Sequence, residues 1–285
     1  MIVFDLCLML MSTAIGQAGE IPKLDEKQVV RILEPYFQAQ AEKYEFFLDD
    51  AKKQKLTLTE KPVMRWTAEG NLGAVWVWTS QGRAELIGCL GAYVNGSGQL
   101  EAFHEFHSLT RKPLQQVAIG NIRTWESNIP GVKPTLLTDA PEPASNERLR
   151  LVQMRAILRE FTAELQSGKQ THQLRLTTTP LFRFNSTNPD VLDGAIFSFL
   201  LDNGTDPEVL IMIESIKTAE GQRWHYSPIR FSWREVWVRH RDKEVWRVPL
   251  HEEFWKSTTL RDNYVTCSMG QLDVNAIGAT QKATP

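Results

Sequence analysis

One stretch of the chain occurs twice, and it constrains the fold more than any other feature. Residues 55–107 contain KLTLTEKPVMRW, GAVWVWTSQGRAEL and AFHEF; residues 173–226 contain QLRLTTTPLFRF, GAIFSFLLDNGTDPEVL and RWHY. Leu56 and Leu174 precede Pro62 and Pro180 at the same interval, and Arg65 and Arg183 follow those prolines at the same interval. A Gly-Ala pair opens the next apolar run in each copy (Gly73-Ala74, Gly194-Ala195). Glu85 and Glu208 follow the next turn, and an aromatic–His pair stands near the end (Phe103-His104, Trp224-His225). Self-similarity of this kind marks an internal duplication of one supersecondary unit.

Within each copy the apolar residues alternate or run together over strand lengths between turn residues. Ala74 to Thr79 leads through Ser80-Gln81-Gly82 into Ala84 to Val94, a hairpin pattern, and Asn95-Gly96-Ser97-Gly98 is a turn before the next strand. Asp25 to Ala51 carries apolar residues at helical spacing, interrupted by Pro35, where a kink or two abutting helices are expected. Asn146 caps a second helical pattern whose stripe runs through Leu151, Met154, Leu158, Phe161 and Leu165. Glu235 to Arg239 and Glu244 to Val248 form a last hairpin with no counterpart in the first copy.

These elements predict an α+β chain: a tandem duplication of a helix followed by a four- to five-stranded antiparallel meander. In element order alone it resembles cystatin-type and nuclear-transport-factor-type folds. The expected organisation is a signal peptide over 1–18, a first repeat over 19–112 and a Pro-rich connection over 113–145. A second repeat with its extra hairpin follows over 146–255, and a flexible tail over 256–285.

Composition excludes several classes. Of the 285 residues 42% are hydrophobic and 23% charged, enough for a sizeable core, and nine Trp and thirteen Phe favour sheets. A net charge of −2 argues against a general nucleic-acid partner. Leu6 to Ile15 has the length of a signal-peptide apolar region and is too short to span a membrane. Gly16-Gln17-Ala18 is a small-x-small cleavage pattern, although Asp5 stands where a basic residue belongs. Export to the periplasm or exterior is expected if this leader is cleaved, and a cytoplasmic location if not. Cys89 and Cys267 are too far apart for a C-x-x-C motif, and a buried inert thiol is the default for Cys89.

His104-Glu105-Phe106-His107 draws the eye, but it is not H-E-x-x-H. On a strand, residues three apart point to opposite faces, so His104 and His107 do not share a metal. The recurring set Arg65, Glu85, His104 and Arg183, Glu208, His225 has two readings. One is carboxylate–guanidinium contacts that hold register; the other is a polar pocket with His as acid or base and Arg binding an anion. Asp190, Asp193, Asp202 and Asp206 read as turn formers rather than a calcium loop. No catalytic residue, metal site or cofactor motif emerges.

The run RLRLVQMRAILREFTAEL, with PLFRF, DGAIFSFLLDNGTDPEVLIMIES, RWHY and FHEFHSL, resembles a group of uncharacterised, exported proteins of planctomycete-type bacteria. The resemblance implies no activity. The expected function is a non-enzymatic exported binding or interaction protein with another protein as a possible partner. The alternatives are a hydrolase- or lyase-like enzyme with a pocket around His104 or His225, and a structural subunit of a larger assembly.

Overall fold

The Gly-Ala pairs repeated in the sequence mark the same contact in two sheets. Strands β2 (Met64–Ala68) and β3 (Asn71–Ser80) place Trp66 opposite Gly73, while β12 (Phe182–Phe184) and β13 (Val191–Leu200) place Phe184 opposite Gly194. A Cβ on Gly73 would stand 2.8 Å from the Trp66 ring, and one on Gly194 would stand 2.3 Å from the Phe184 ring. An aromatic ring thus lies over a bare glycine in both copies, an arrangement that pins register.

The computed structural model describes residues 25–283 apart from 50, 69, 121–122, 203 and 253–258. The leader and its cleavage pattern lie outside the described residues. Among the described residues the structure is mostly β, 48% strand and 16% helix with three short helices, which overturns the expected helix-then-meander α+β arrangement. Sheets, not helices, carry the architecture.

The first large sheet runs β1 (Thr57–Leu58), β3, β4 (Arg83–Val94), β5 (Leu100–Ser108), β19 (Tyr264–Gln271), with β2 also paired to β3. The second runs β11 (Arg175–Leu176), β13, β14 (Pro207–Thr218), β15 (Gly221–Arg230), β8 (Thr135–Leu136), with β12 also paired to β13. The two sheets therefore share one strand plan, and every pairing in them is antiparallel. They pack face to face through Val75, Val77, Ile87 and Cys89 on one side and Ile196, Leu210, Met212 and Ile229 on the other.

Each sheet also buries its outer face. On the first, Trp76, Trp78, Leu86, Leu90 and Phe106 pack under α1 (Glu26–Glu42), the segment after it, and a small sheet of β6 (Val117–Ile119), β7 (Arg123–Trp125) and β18 (Thr259–Leu260). On the second, Phe197, Phe199, Ile211 and Ile213 pack under α2 (Glu147–Leu158) and a four-stranded sheet. That sheet runs β10 (Gln170–Gln173), β9 (Phe161–Ser167), β16 (Glu235–His240), β17 (Lys243–Val248). Burial on both faces is why β3, β4, β13 and β14 read as unbroken apolar runs.

Two local expectations fail for identifiable reasons. Phe161 and Leu165 belong to β9, not to a helix; residues four apart share a face in a helix and in a strand alike, and Ala163 between them is buried too. The segment expected as a flexible tail supplies β18, β19 and α3 (Val274–Ala283). Strand β19 covers β5 along seven residue pairs, closing an edge that would otherwise expose unpaired main-chain groups. Helix α1 is capped by Asp25 and Gln28 acting reciprocally and runs through Pro35 as a single element. Among the described residues no helix is long and apolar enough to cross a membrane.

Candidate functional site

The recurring arginines tie strands to helices. Arg65 lies opposite Ala74 and Arg183 opposite Ala195, the same position in both sheets. Arg65 reaches Glu34 of α1 at 3.2 Å. Arg183 reaches Glu147 of α2 at 3.3 Å and the fully buried Asp193 at 2.8 Å, which Arg150 of α2 also holds at 2.7 Å. Glu85 and Glu208 also match. Each occupies the extra residue of a register shift, and their carbonyls accept from Leu109 N and Phe231 N.

The histidines do not match. Gly91 and Glu214 hold equivalent places, and their partners on the next strand are Phe103 and His225, so His104 corresponds to Tyr226. His104 turns to the outer core and shares a 2.6 Å hydrogen bond with the Tyr44 hydroxyl. His107 points to the other face and donates through Nδ1 to the Ser108 carbonyl at 2.7 Å. Nδ1 of His225 donates to the Arg223 carbonyl at 3.1 Å, and burial holds its pKa down.

Burial pushes both His104 and His107 down to about 4. In the unfolded chain such groups take a proton near 6.5, so the neutral form favours folding above that pH and the advantage is lost as pH falls toward 4. His104→Gln should therefore cost stability at pH 7.5, and the gap to wild type should close between pH 6.5 and 4. Chemical denaturation at several pH values checks this. A gap that widens on acidification would be incompatible with a buried neutral imidazole.

The two ends of the sheet sandwich differ in charge balance. At one end Arg83, 4% exposed, donates Nε and Nη2 to Glu214 at 2.8 and 3.2 Å. Its Nη1 donates to Glu85 at 2.7 Å and to the carbonyls of Ala84 and Leu109, each at 3.0 Å. All three nitrogens of this guanidinium are hydrogen-bonded, and Arg111 adds a second cation 3.5 Å from Glu214. The end is filled and neutralised.

At the other end, the residue in the register place of Arg83 is Asp206, two before Glu208 as Arg83 is two before Glu85. Asp206 and Glu208 face Glu105 across the sandwich, and a cleft of about 620 Å³ opens between them. Trp66, Tyr93, Phe103, Phe231 and Trp233 supply aromatic walls. Glu105 and Glu208 are more than nine-tenths buried. Burial pushes Glu105 up to about 7, and it raises Glu208 and Asp206 as well, with carboxylate–carboxylate repulsion adding to the effect on Glu105 and Asp206.

Compensation here is partial. Arg234 lies 3.6 Å from Glu208. Arg230 is buried nearby, but its hydrogen bonds go to the carbonyls of Ser232, Trp233, Arg234 and Pro249, and its guanidinium stacks 5.2 Å over Tyr264. The Tyr264 hydroxyl donates to one oxygen of Glu105. A second cleft, about 510 Å³ between α2 and the β16–β17 turn, is different. Its carboxylates are paired: Glu160 and Asp139 with Arg241 at 2.8 Å each, and Glu160 with His240 at 2.9 Å.

Of the candidate site residues read from the sequence, only Glu208 lines the larger cleft; Arg65, Glu85, His104, His107, Arg183 and His225 lie elsewhere. Glu105 and Asp206 were missed. Glu105 stood between two histidines that drew attention from it, and Asp206 read as a turn former. The signal that finds Asp206 is the internal match itself, which replaces a basic residue by an acidic one. Cys89 and Cys267 are both buried, and Cys89 accepts from Trp66 Nε1 at 3.4 Å. Among the described residues no group of three or more His, Cys, Asp or Glu is arranged to hold a metal ion. No family model, curated protein or solved structure matches the chain.

Proposed function

We propose that the chain is a non-enzymatic binding protein that takes a small molecule in the cleft between its two large sheets. One observation carries this reading: a cleft of about 620 Å³ with aromatic walls and carboxylates that the protein's own cations neutralise only in part. The volume falls in the range of small-molecule sites, where a mostly apolar lining and a few convergent polar groups are the rule. Placement outside the cytoplasm rests on the leader sequence alone.

A fragment screen read by melting temperature tests the reading, because ligands of the folded state raise it by mass action. Ser268 sits exposed at the rim, so Ser268→Trp should block entry without disturbing the core. Hits on the wild-type chain are expected to disappear in Ser268→Trp. Hits that persist in that variant would count against the cleft.

A second reading, an acid–base enzyme at the same cleft, is favoured by Glu105. A carboxyl titrating near 7 both gives and takes a proton at neutral pH. It replaces the expected pocket around His104 or His225, since neither histidine lines either cleft described above. Turnover that vanishes in Glu105→Gln while binding persists would decide for it.

A further inference from the structure

We propose that the cleft binds an organic cation, a ligand whose primary ammonium or guanidinium group seats among Asp206, Glu208 and Glu105. The proposal rests on the binding reading above and names the chemistry that the site selects.

The molecule carries its own template for such a site. At the matched end of the sandwich a guanidinium, that of Arg83, sits between the carboxylates of Glu85 and Glu214 and against the carbonyls of Ala84 and Leu109. At the cleft end the corresponding positions are Glu208 for Glu85, Pro207 for Ala84 and Phe231 for Leu109. The position of Arg83 itself is Asp206. One carboxylate and the two carbonyls of the cradle are kept, and Gly91 stands in the register place of Glu214. Asp206 and Glu105 bring two further carboxylates, and Arg234 reaches only Glu208, at 3.6 Å.

The acceptors are also underused. Glu105 is 7% exposed, Tyr264 holds one of its oxygens, and the other has no hydrogen bond among the described residues. The Asp206 carboxylate likewise makes no hydrogen bond among the described residues, and both side chains line the cleft. A cation placed there would remove the repulsion among the three acids and complete their hydrogen bonds, which are strong when both partners are charged. The aromatic walls suit the same ligand, since Tyr93, Phe103 and Trp66 line the cleft and aromatic rings attract a cation or pack the apolar body behind it. The volume exceeds what a bare metal ion needs.

The test uses the full chain at pH 7.5 and calorimetric titration with matched probes: phenethylammonium and phenylguanidinium, the neutral phenethyl alcohol, 3-phenylpropionate, and calcium chloride. The cations are expected to bind at least about tenfold more tightly than the neutral isostere. Asp206→Asn should weaken them by about tenfold and leave the neutral probe unchanged. Asp206→Arg should supply the missing guanidinium internally, abolish cation binding and raise the melting temperature.

Tighter binding of phenethyl alcohol or 3-phenylpropionate, lost in Ser268→Trp, would overturn the cation proposal and leave the cleft reading standing. Binding that ignores Ser268→Trp would sink both. Calcium binding that displaces the organic cations, or no binding by either cation, would also overturn it, as would an Asp206→Arg chain that folds yet melts lower than Asp206→Asn.

Discussion

Arg83→Ala is expected to lower stability by about 3–5 kcal/mol, the range for removing one partner of a buried ion pair. Arg83 and Glu214 are 4% and 1% exposed, so the variant leaves the Glu214 carboxylate inside the sandwich without its bidentate donor. Glu85, which burial already raises, loses its guanidinium too. Arg111 at 3.5 Å from Glu214 offers some relief, which favours the lower half of the range. Urea denaturation reads the loss directly as a shift in midpoint. The double variant Arg83→Met, Glu214→Leu should recover most of it, because the cost comes from the uncompensated charge and not from an intrinsic worth of the pair. A single variant that loses under about 1 kcal/mol would show that the charges are solvated and the end of the sandwich is open.

Phe106→Ala is expected to cost about 3–5 kcal/mol for a different reason, a cavity in the outer core of the first sheet. The Phe106 ring lies 4.8 Å from that of Tyr44, 5.4 Å from Phe46, 5.8 Å from Trp78 and 6.3 Å from Trp125. Across the strand it covers Gly88, where a Cβ would stand 2.4 Å from the ring, so no neighbouring side chain on that strand can fill the gap. The next residue toward the N-terminus, Glu105, points to the opposite face and into the cleft. Phe106→Ala should therefore lower the denaturation midpoint while ligand affinity of the folded chain is unchanged. Glu105→Gln should do the reverse. If Phe106→Ala altered affinity as strongly as Glu105→Gln, the two faces of β5 would not be energetically separate.

Much of the local structure was legible before any coordinates. The turn at Asn95–Gly98, the Asn146 cap and the Glu235–Val248 hairpin rest on short-range chemistry, and each is where its residues place it. The fold class was not legible. Phe161 to Leu165 satisfies both periods, and only the register of β9 with β16 makes it a strand. The return of β19 to β5 joins residues far apart in the chain, and a strand edge recruits whichever segment reaches it. The histidine match failed because strands β5 and β15 are offset by one residue relative to the strands before them, a slip that reverses which face a side chain uses.

The sequence by itself determined that two similar sheets form, because alternation, glycines under aromatic rings and turn residues act over a few neighbours. Only the tertiary structure decided which carboxylates are neutralised. Glu85 and Glu208 are alike in sequence and in register, each two residues after a charged group, but packing brings Glu214 to Arg83 and Glu105 to Asp206 and Glu208. Coulomb energy depends on what stands opposite across the sandwich, and that is settled by packing, not by spacing along the chain.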